Sequence, residues 1–366
     1  MWRREGKIDS TFLFLSLAVL CIGLAVLASA SGPVAFEEHG SSFYFIKQQM
    51  LQGVLPGLFA AYVAFRLPYT AWRRLAFPML AVSIGLLALV FIPGIGTDLN
   101  TFAKSWIQLA PGFTFQPAEV VKMTFLFYLA AWMESRGHGV RDVQEGLLPF
   151  LLTLGVIGGL IFFQPDLGSL AVIMSMAFIV YFAAGASVGH LFGVGLVGAL
   201  LFLIAIQMAP YRAARLTTFL HPELDPQGIG YQINQALLAT GSGGWFGRGF
   251  GHSVQKFEYL PEVIGDSIFA VMAEELGFLL MIGFLVLLGI WFSRGMRIAE
   301  QAPDGFARYV VIGCLGWIGI QMIMNIGSIL GLLPLTGVTL PFVRYGGTSM
   351  TMTLFAVGVM LNVSRS

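Results

Sequence analysis

Ten apolar runs, each long enough to cross a bilayer as a helix, constrain this chain more than any other feature. They lie near Thr11–Ala30, Phe43–Phe65, Leu75–Ile92, Pro117–Met133, Leu147–Phe163, Gly168–Ala186, Leu191–Met208, Ser267–Phe292, Arg308–Leu330 and Gly347–Val363. A spanning helix needs about 20 mostly apolar residues. Only 11% of the 366 residues are charged and mean hydropathy is +0.82. Soluble domains carry about 25% charge, so this chain has too little polar surface to exist as a soluble globule. The expected fold is an all-α polytopic membrane protein of about ten transmembrane helices, a single membrane domain over residues 1–366. The first run is too long for a signal peptide, and a polar turn after Ala30 leads into another span. With a net charge of +1 no global field draws nucleic acid. Cys21 and Cys314 sit inside apolar runs, which argues against a disulfide framework or a cysteine zinc site.

Lys and Arg orient the spans. Placing both termini inside puts Arg3, Arg4, Lys7, Arg66, Arg73, Arg74, Arg136, Arg141, Arg294, Arg297, Arg308 and Arg365 on the cytoplasmic side. The remaining eight basic residues, Lys47, Lys104, Lys122, Arg212, Arg215, Arg248, Lys256 and Arg344, fall at or beyond the outer ends, against the orientation rule. Between the seventh and eighth spans lies one long outer loop, 209–266. Its aromatic residues and glycine turns give it the means to pack, and Ile229–Leu238 has the spacing of a short helix on the membrane face. Structureless loops of that length are usually functional or disordered.

Ionisable groups at membrane depth mark function by default. Gln116-Pro117-Ala118-Glu119-Val120-Val121-Lys122 opens the fourth span. Pro117 suits a first helical position, and Glu119 and Lys122, three apart, share a face. A capped helix start with a local ion pair accounts for much of this, and least well for Lys122. Asp166, in Gln164-Pro165-Asp166-Leu167-Gly168, caps the sixth span, holds a divalent cation or orients a base. Lys104 and Trp106 lie in the loop before Gln116, Lys104 where an anionic head group would reach it. Asp266 ends the long loop; it either caps the eighth span or acts as a general base beside a diphosphate leaving group. Of Glu274 and Glu275, one is expected to face a polar interior, as a buried hydrogen-bonded carboxylate or as chemistry. The five histidines lack metal-ligand spacing.

Taken in order, these motifs resemble the SEDS proteins, the FtsW, RodA and SpoVE group. The resemblance rests on Lys104-Ser105-Trp106-Ile107, Phe115-Gln116-Pro117-Ala118-Glu119 with Lys122, the Gln164–Gly168 turn, Gly228–Gln235, Ser242–Gly247, Gln255–Glu262, Asp266–Ala270, Glu274–Gly277 and Leu333–Gly347. The Ser253–Phe257 and Thr336–Pro341 stretches look closer to FtsW than to RodA. The resemblance implies a peptidoglycan glycosyltransferase of the bacterial cytoplasmic membrane, serving division or shape. It would polymerise lipid II onto a lipid-linked glycan, with undecaprenyl pyrophosphate leaving. It implies a class B penicillin-binding protein as partner, alongside other divisome or elongasome membrane proteins. The family's catalytic aspartate maps to Asp266, its Gln-Pro-x-Glu…Lys motif to Gln116, Glu119 and Lys122, and its Gln-Pro-Asp motif to Asp166. Two departures stand out: Ile264-Gly265 replaces the usual residues before the aspartate, and Arg344 replaces a serine before Tyr345-Gly346-Gly347.

On this reading Asp266 deprotonates the sugar hydroxyl of the acceptor. Lys104, Trp106, Gln116, Glu119, Lys122, Arg212, Arg215, Gln232, Gln235, Lys256 and Tyr345 are the expected substrate-binding residues. A divalent cation, Mg or Mn, is expected at Asp166 if one takes part; no organic cofactor is expected. Two other classes compete. A lipid II flippase or lipid-linked sugar transporter also needs many spans, but a carrier places its key groups near the midplane, and here the motifs crowd at one face. A non-catalytic scaffold for a partner synthase is the third.

Overall fold

The structure, a computed structural model, describes residues 8–97, 105–110, 113–207, 210–225 and 227–366. Helix α1 (Ser10–His39) is followed by α2 (Tyr44–Gln49), which runs through a π turn at Met50–Val54 into α3 (Leu55–Arg66). Next come α4 (Tyr69–Arg74) and α5 (Ala76–Leu89). A small antiparallel sheet follows, β1 (Gly96–Thr97), β2 (Trp106–Ala110) and β3 (Phe113–Phe115), in sequential order, with Ile107 opposite both Gly96 and Phe115. Then come α6 (Pro117–Arg136), α7 (Leu148–Phe163), α8 (Leu167–Ala183), α9 (Val188–Gln207), α10 (Pro210–Leu220) and α11 (Ile229–Ser242). The chain closes with α12 (Ile268–Glu300), α13 (Gly305–Ile329) and α14 (Gly347–Ser364).

Every one of the ten apolar runs lies on helix. Among the described residues, five helical stretches are long and apolar enough by themselves to cross a membrane: Ser10–His39, Val143–Phe163, Ile268–Glu300, Gly305–Ile329 and Gly347–Ser364. The outward faces confirm the solvent these helices need. Phe77, Phe163 and Phe192 are each more than 70% exposed, a surface that water does not tolerate at this extent. Inside, α13 is the central post, packed against α6, α8, α12 and α14. Trp317 and Cys314 on it are fully buried.

Side chains at the helix starts decide where several helices begin. Asp9 accepts the Phe12 N–H at 2.9 Å and Asp304 accepts the Ala307 N–H at 2.9 Å, satisfying donors that a helix leaves unpaired. Two of the basic residues assigned to the cytoplasm meet carboxylates at one end of the bundle: Arg294 lies 3.0 Å from Asp9 and Arg73 lies 2.9 Å from Glu134. Tyr69 donates to Asp304 at 3.1 Å at the same end.

Three expectations change. Helix α1 does not stop near Ala30; it continues through Pro33 to a left-handed cap at Gly40, with Ser31 buried rather than in a polar turn. The segment before Gln116 forms a hairpin, not an open loop. The eighth span is not continuous. At Gly277 the backbone turns to φ 73°, ψ 176°, a region essentially reserved for glycine. The break orphans backbone groups of α12, and the long loop supplies their partners. Phe278 and Leu279 N–H donate to the carbonyls of Gly244 and Trp245 at 2.9 and 3.1 Å. Arg248 and Gly249 N–H donate to the carbonyls of Glu274 and Glu275 at 3.0 and 3.1 Å.

The two strands of backbone touch so closely that a Cβ on Gly277 would sit 2.0 Å from Gly247 N, and one on Gly247 would sit 2.2 Å from Glu275 O. Gly277→Ala is therefore expected to lower the melting temperature in detergent sharply. The strained backbone alone costs about 1–3 kcal/mol, and the clash adds to it. An unchanged melting curve would mean that this insertion contributes nothing to stability.

Candidate active site

The 334–346 segment between α13 and α14 is the hub of the end of the bundle where α8, α12 and α14 begin. Leu335 O accepts from Arg215 Nη1 at 3.4 Å, so α10 reaches it. A Cβ on Gly168 at the start of α8 would lie 2.8 Å from Thr336 O, so the Gln164–Gly168 turn abuts it too. Gln49 on α2 brackets its far end, accepting the Gly346 N–H at 2.9 Å and donating to Arg344 O at 3.4 Å. Tyr345 donates its N–H to Ile264 O at 3.1 Å and sets its ring edge-on to Phe45, 5.3 Å between centroids.

Asp266 lies against this hub, and the two readings open for it now separate. Its side chain does not cap α12; the residue in the capping position is Ser267, which makes no side-chain capping bond. Asp266 instead points its carboxylate at Arg344, Oδ1 to Nη1 3.2 Å, with about a fifth of each side chain exposed. That oxygen is buried and has no hydrogen-bond partner of good geometry. The main chain is held from α13, where the Asn325 amide donates to Asp266 O at 3.1 Å and to Val338 O at 3.0 Å. One buried side chain thus pins the loop aspartate and the hub to each other. Gln232 on α11 donates to Ser267 Oγ at 3.1 Å, beside the carboxylate. Gln235, one turn on, is half-buried along the same helix.

Asp166 resolves the other way. Its Oδ1 accepts the Ser169 N–H at 2.9 Å, which makes it the cap of α8. Its Oδ2 accepts from Ser169 Oγ at 2.8 Å and from the Gln116 amide at 3.3 Å. Gln116 also donates its N–H to Thr348 Oγ1 at 3.4 Å, tying α6, α8 and α14 together. Both carboxylate oxygens are thus committed to donors. Among the described residues no cluster of three or more His, Cys, Asp or Glu could hold a metal ion. The donor set at Asp166 does not fit a cation cage.

Glu119 and Lys122 pair at 2.6 Å, both almost fully buried, and Glu119 Oε2 has no hydrogen-bond partner. Lys122 Nζ lies 5.5 Å from the centre of the Trp317 ring. Trp317, Gln321 and Asn325 recur every four residues, so they share one face of α13. That face runs from the buried Lys122 through Gln321, which donates to Thr339 Oγ1 at 2.8 Å, to the Asp266 main chain.

Lys256 lies elsewhere. An ammonium has three donors, and all three are taken: Glu275 Oε1 at 2.8 Å, Gly251 O at 2.7 Å and Ser29 Oγ at 3.1 Å. Glu274 collects the N–H groups of Val254 and Gln255 and the Ser253 hydroxyl. The two glutamates are buried hydrogen-bonded carboxylates that fold the loop onto α12. Lys256 belongs to that fastening, and the structure revises its expected role as a substrate ligand. Trp106 is half-buried on β2. Lys104 lies outside the described residues, and Arg212 is described by its backbone alone.

Residues 10–366 match the family model for FtsW, RodA and SpoVE, described as a cell cycle protein. The chain belongs to the FtsW/RodA/SpoVE family. It is 40% identical to stage V sporulation protein E of Bacillus subtilis, over 100% of this chain and 99% of that one. It is 38% identical to the probable peptidoglycan glycosyltransferase FtsW of Trichlorobacter lovleyi, over 99% and 94%. Among solved structures it resembles a chain described under structural coordination of polymerization and crosslinking by a peptidoglycan synthase complex, with 31% identity, TM-score 0.81 and 98% of each chain covered. It also resembles the rod shape determining protein RodA of Thermus thermophilus, with 31% identity, TM-score 0.72 and 98% and 97% covered.

In this FtsW/RodA/SpoVE member, sequence reasoning missed Gln49, Gln321 and Asn325. All three are uncharged amides inside apolar runs, and all are buried to 1% exposure or less. The signal was available, because a buried amide in a spanning helix demands partners, but a rule that counts charges passes over it.

Glu262 is the second carboxylate near Asp266. Partial burial pushes its carboxyl above the ordinary range, the Asp266 charge adds to that, and Arg344 opposes it. The folded protein therefore holds this proton more firmly than the unfolded chain, and stability falls as pH rises from the ordinary carboxylate value upward. Glu262→Gln removes that dependence. The melting temperature of the variant minus that of the wild type is expected to be near zero at about pH 4 and slightly positive at about pH 7. A difference that stays flat with pH would contradict this assignment.

Proposed function

We propose that this chain is a peptidoglycan glycosyltransferase that polymerises lipid II at the outer face of the bacterial cytoplasmic membrane, in division or shape maintenance. The observation that carries the reading is the Asp266 carboxylate, free of helix capping and set beside a cation at the end of the bundle opposite the Asp9–Arg294 and Arg73–Glu134 pairs. The family membership and the relatives' names support it. The topology that goes with it has ten spans, both termini inside, and residues 209–266 outside, with α10 and α11 as structured parts of that loop.

In the reaction, Asp266 accepts the proton of the acceptor sugar hydroxyl as its oxygen forms the new glycosidic bond. The bond from the anomeric carbon to the diphosphate oxygen breaks, and the electron pair leaves with undecaprenyl diphosphate. That leaving group is already an anion, so it needs no protonation, only cations to stabilise its charge. Arg215 and Arg344 are the described outer side chains set around the hub that meet this need. The chemistry of two lipid-linked substrates calls for a site open to the bilayer at the outer boundary. The partner is a class B penicillin-binding protein that cross-links the product, in line with the synthase-complex relative.

The test is glycan formation from purified lipid II by the purified chain in proteoliposomes, with lipid translocation followed separately and a chelator arm reporting on a divalent cation. Polymer formation without a partner supports the enzyme; translocation without polymer would overturn it in favour of a flippase.

A further inference from the structure

Arg344 makes an ion contact that ties up the proposed base. Its Nη1 lies 3.2 Å from Asp266 Oδ1 and 3.4 Å from Gly337 O, while its Nε is buried with no hydrogen-bond partner. A guanidinium offers five donors in a planar fork, so this one is under-used on a buried side. Its backbone, by contrast, is fixed on both sides. The Arg344 N–H donates to Leu340 O at 3.1 Å, its carbonyl accepts from Gln49, and the next residue's N–H is held by Ile264 O. The main chain is therefore fixed relative to the Asp266 segment, so any movement of the guanidinium is left to the side-chain torsions. Asp266 contacts this cation directly, and Glu262 lies close enough to feel the same charge.

We infer that Arg344 is a displaceable guard on Asp266: the diphosphate of the lipid-linked donor draws the guanidinium away and thereby exposes Asp266 Oδ1 to the acceptor hydroxyl. This rests on the glycosyltransferase reading for the substrate, but not for the binding equilibrium. Arginine binds phosphate oxygens through two parallel N–H bonds, a stronger arrangement than the single-ended contact it makes with Asp266 here. Competition between the carboxylate and the diphosphate for one guanidinium couples donor binding to release of the base. The coupling is reciprocal, as any linked equilibrium must be. The base then remains masked until a donor is in place.

The reciprocity makes the idea testable without turnover. Binding of undecaprenyl diphosphate and of inorganic diphosphate would be measured by calorimetry on the full chain in detergent, for wild type, Arg344→Gln, Arg344→Lys and Asp266→Asn. Arg344→Gln is expected to weaken binding of the lipid-linked diphosphate about tenfold or more, and Arg344→Lys to fall between, keeping the charge but losing the fork. Asp266→Asn is expected to tighten binding several-fold, because the competing carboxylate is gone. Inorganic diphosphate should follow the same order if the head group alone is recognised; loss of the order with the lipid-linked probe overturns the proposal. Equal affinity in wild type and Arg344→Gln would overturn the phosphate contact. Unchanged or weaker binding in Asp266→Asn would overturn the competition. Should Arg344→Gln fail to fold, the lysine and asparagine variants still decide. Failure of the glycosyltransferase reading looks different: wild type would form no polymer from lipid II while these affinities kept their order.

Discussion

Asp266→Asn is expected to cut the rate of glycan polymerisation from lipid II by about 10²–10⁴-fold, the usual worth of a positioned general base. The substitution keeps the size and planarity of the side chain and removes only its ability to take a proton. The placement of the residue should survive, because Asn325 holds its main-chain carbonyl and not its side chain. The fold should survive as well. The lost ion pair with Arg344 is partly exposed, and such pairs contribute little to stability. A melting temperature within a few degrees of wild type, with polymer absent from gels of labelled product, is the expected pair of results. Polymer formation at the wild-type rate would remove Asp266 from the mechanism.

Lys256→Ala should act in the opposite way, through stability. The lysine and Glu275 are each about 95% buried or more, and the substitution leaves the carboxylate with only the Ser29 hydroxyl and the Ser253 N–H. Removing one partner of a buried pair typically costs about 3–5 kcal/mol. Expression and melting temperature in detergent should drop together, while protein that remains folded keeps its affinity for lipid II. The double variant Lys256→Met with Glu275→Leu removes both charges and should recover much of the loss, the mark of an uncompensated charge rather than a lost ligand. A Lys256→Ala protein with a wild-type melting curve and a raised KM would instead restore the lysine to the substrate site.

The contrast between these two residues shows where the sequence was legible. Both lie in the long loop, both are charged, and both fall within family motifs. Composition and motif order point to each as functional. What separates them is how many of their hydrogen-bonding positions the fold has already filled. Lys256 has none left, whereas Asp266 keeps an oxygen that no good donor reaches. Asp166 and Asp266 form a second such pair. Each precedes a helix and each is a good capping residue by type, yet Asp166 caps and Asp266 does not. Capping depends on the direction in which the preceding turn delivers the side chain, and the turn at Glu262–Ser267 is set by its contact with the hub. No local rule contains that information.

Helix content follows from the sequence alone, because lipid leaves a spanning backbone no partners but its own. An apolar run of sufficient length therefore becomes helix wherever it packs, and all ten runs did. The gathering of most arginines in alternate inter-run segments follows equally from the chain. The break at Gly277 does not. It requires the 244–249 segment to arrive with the right carbonyls and N–H groups, a contact between residues about 30 positions apart that exists only once the loop has folded back. The same is true of Arg344, whose charge is plain in the sequence but whose partner is not. Sequence determined which segments are apolar enough to become helix and which polar residues fall between them. Tertiary structure decided which of those residues satisfy one another and which are left to meet a substrate, because hydrogen-bond satisfaction depends on distances between elements that the order of residues along the chain does not specify.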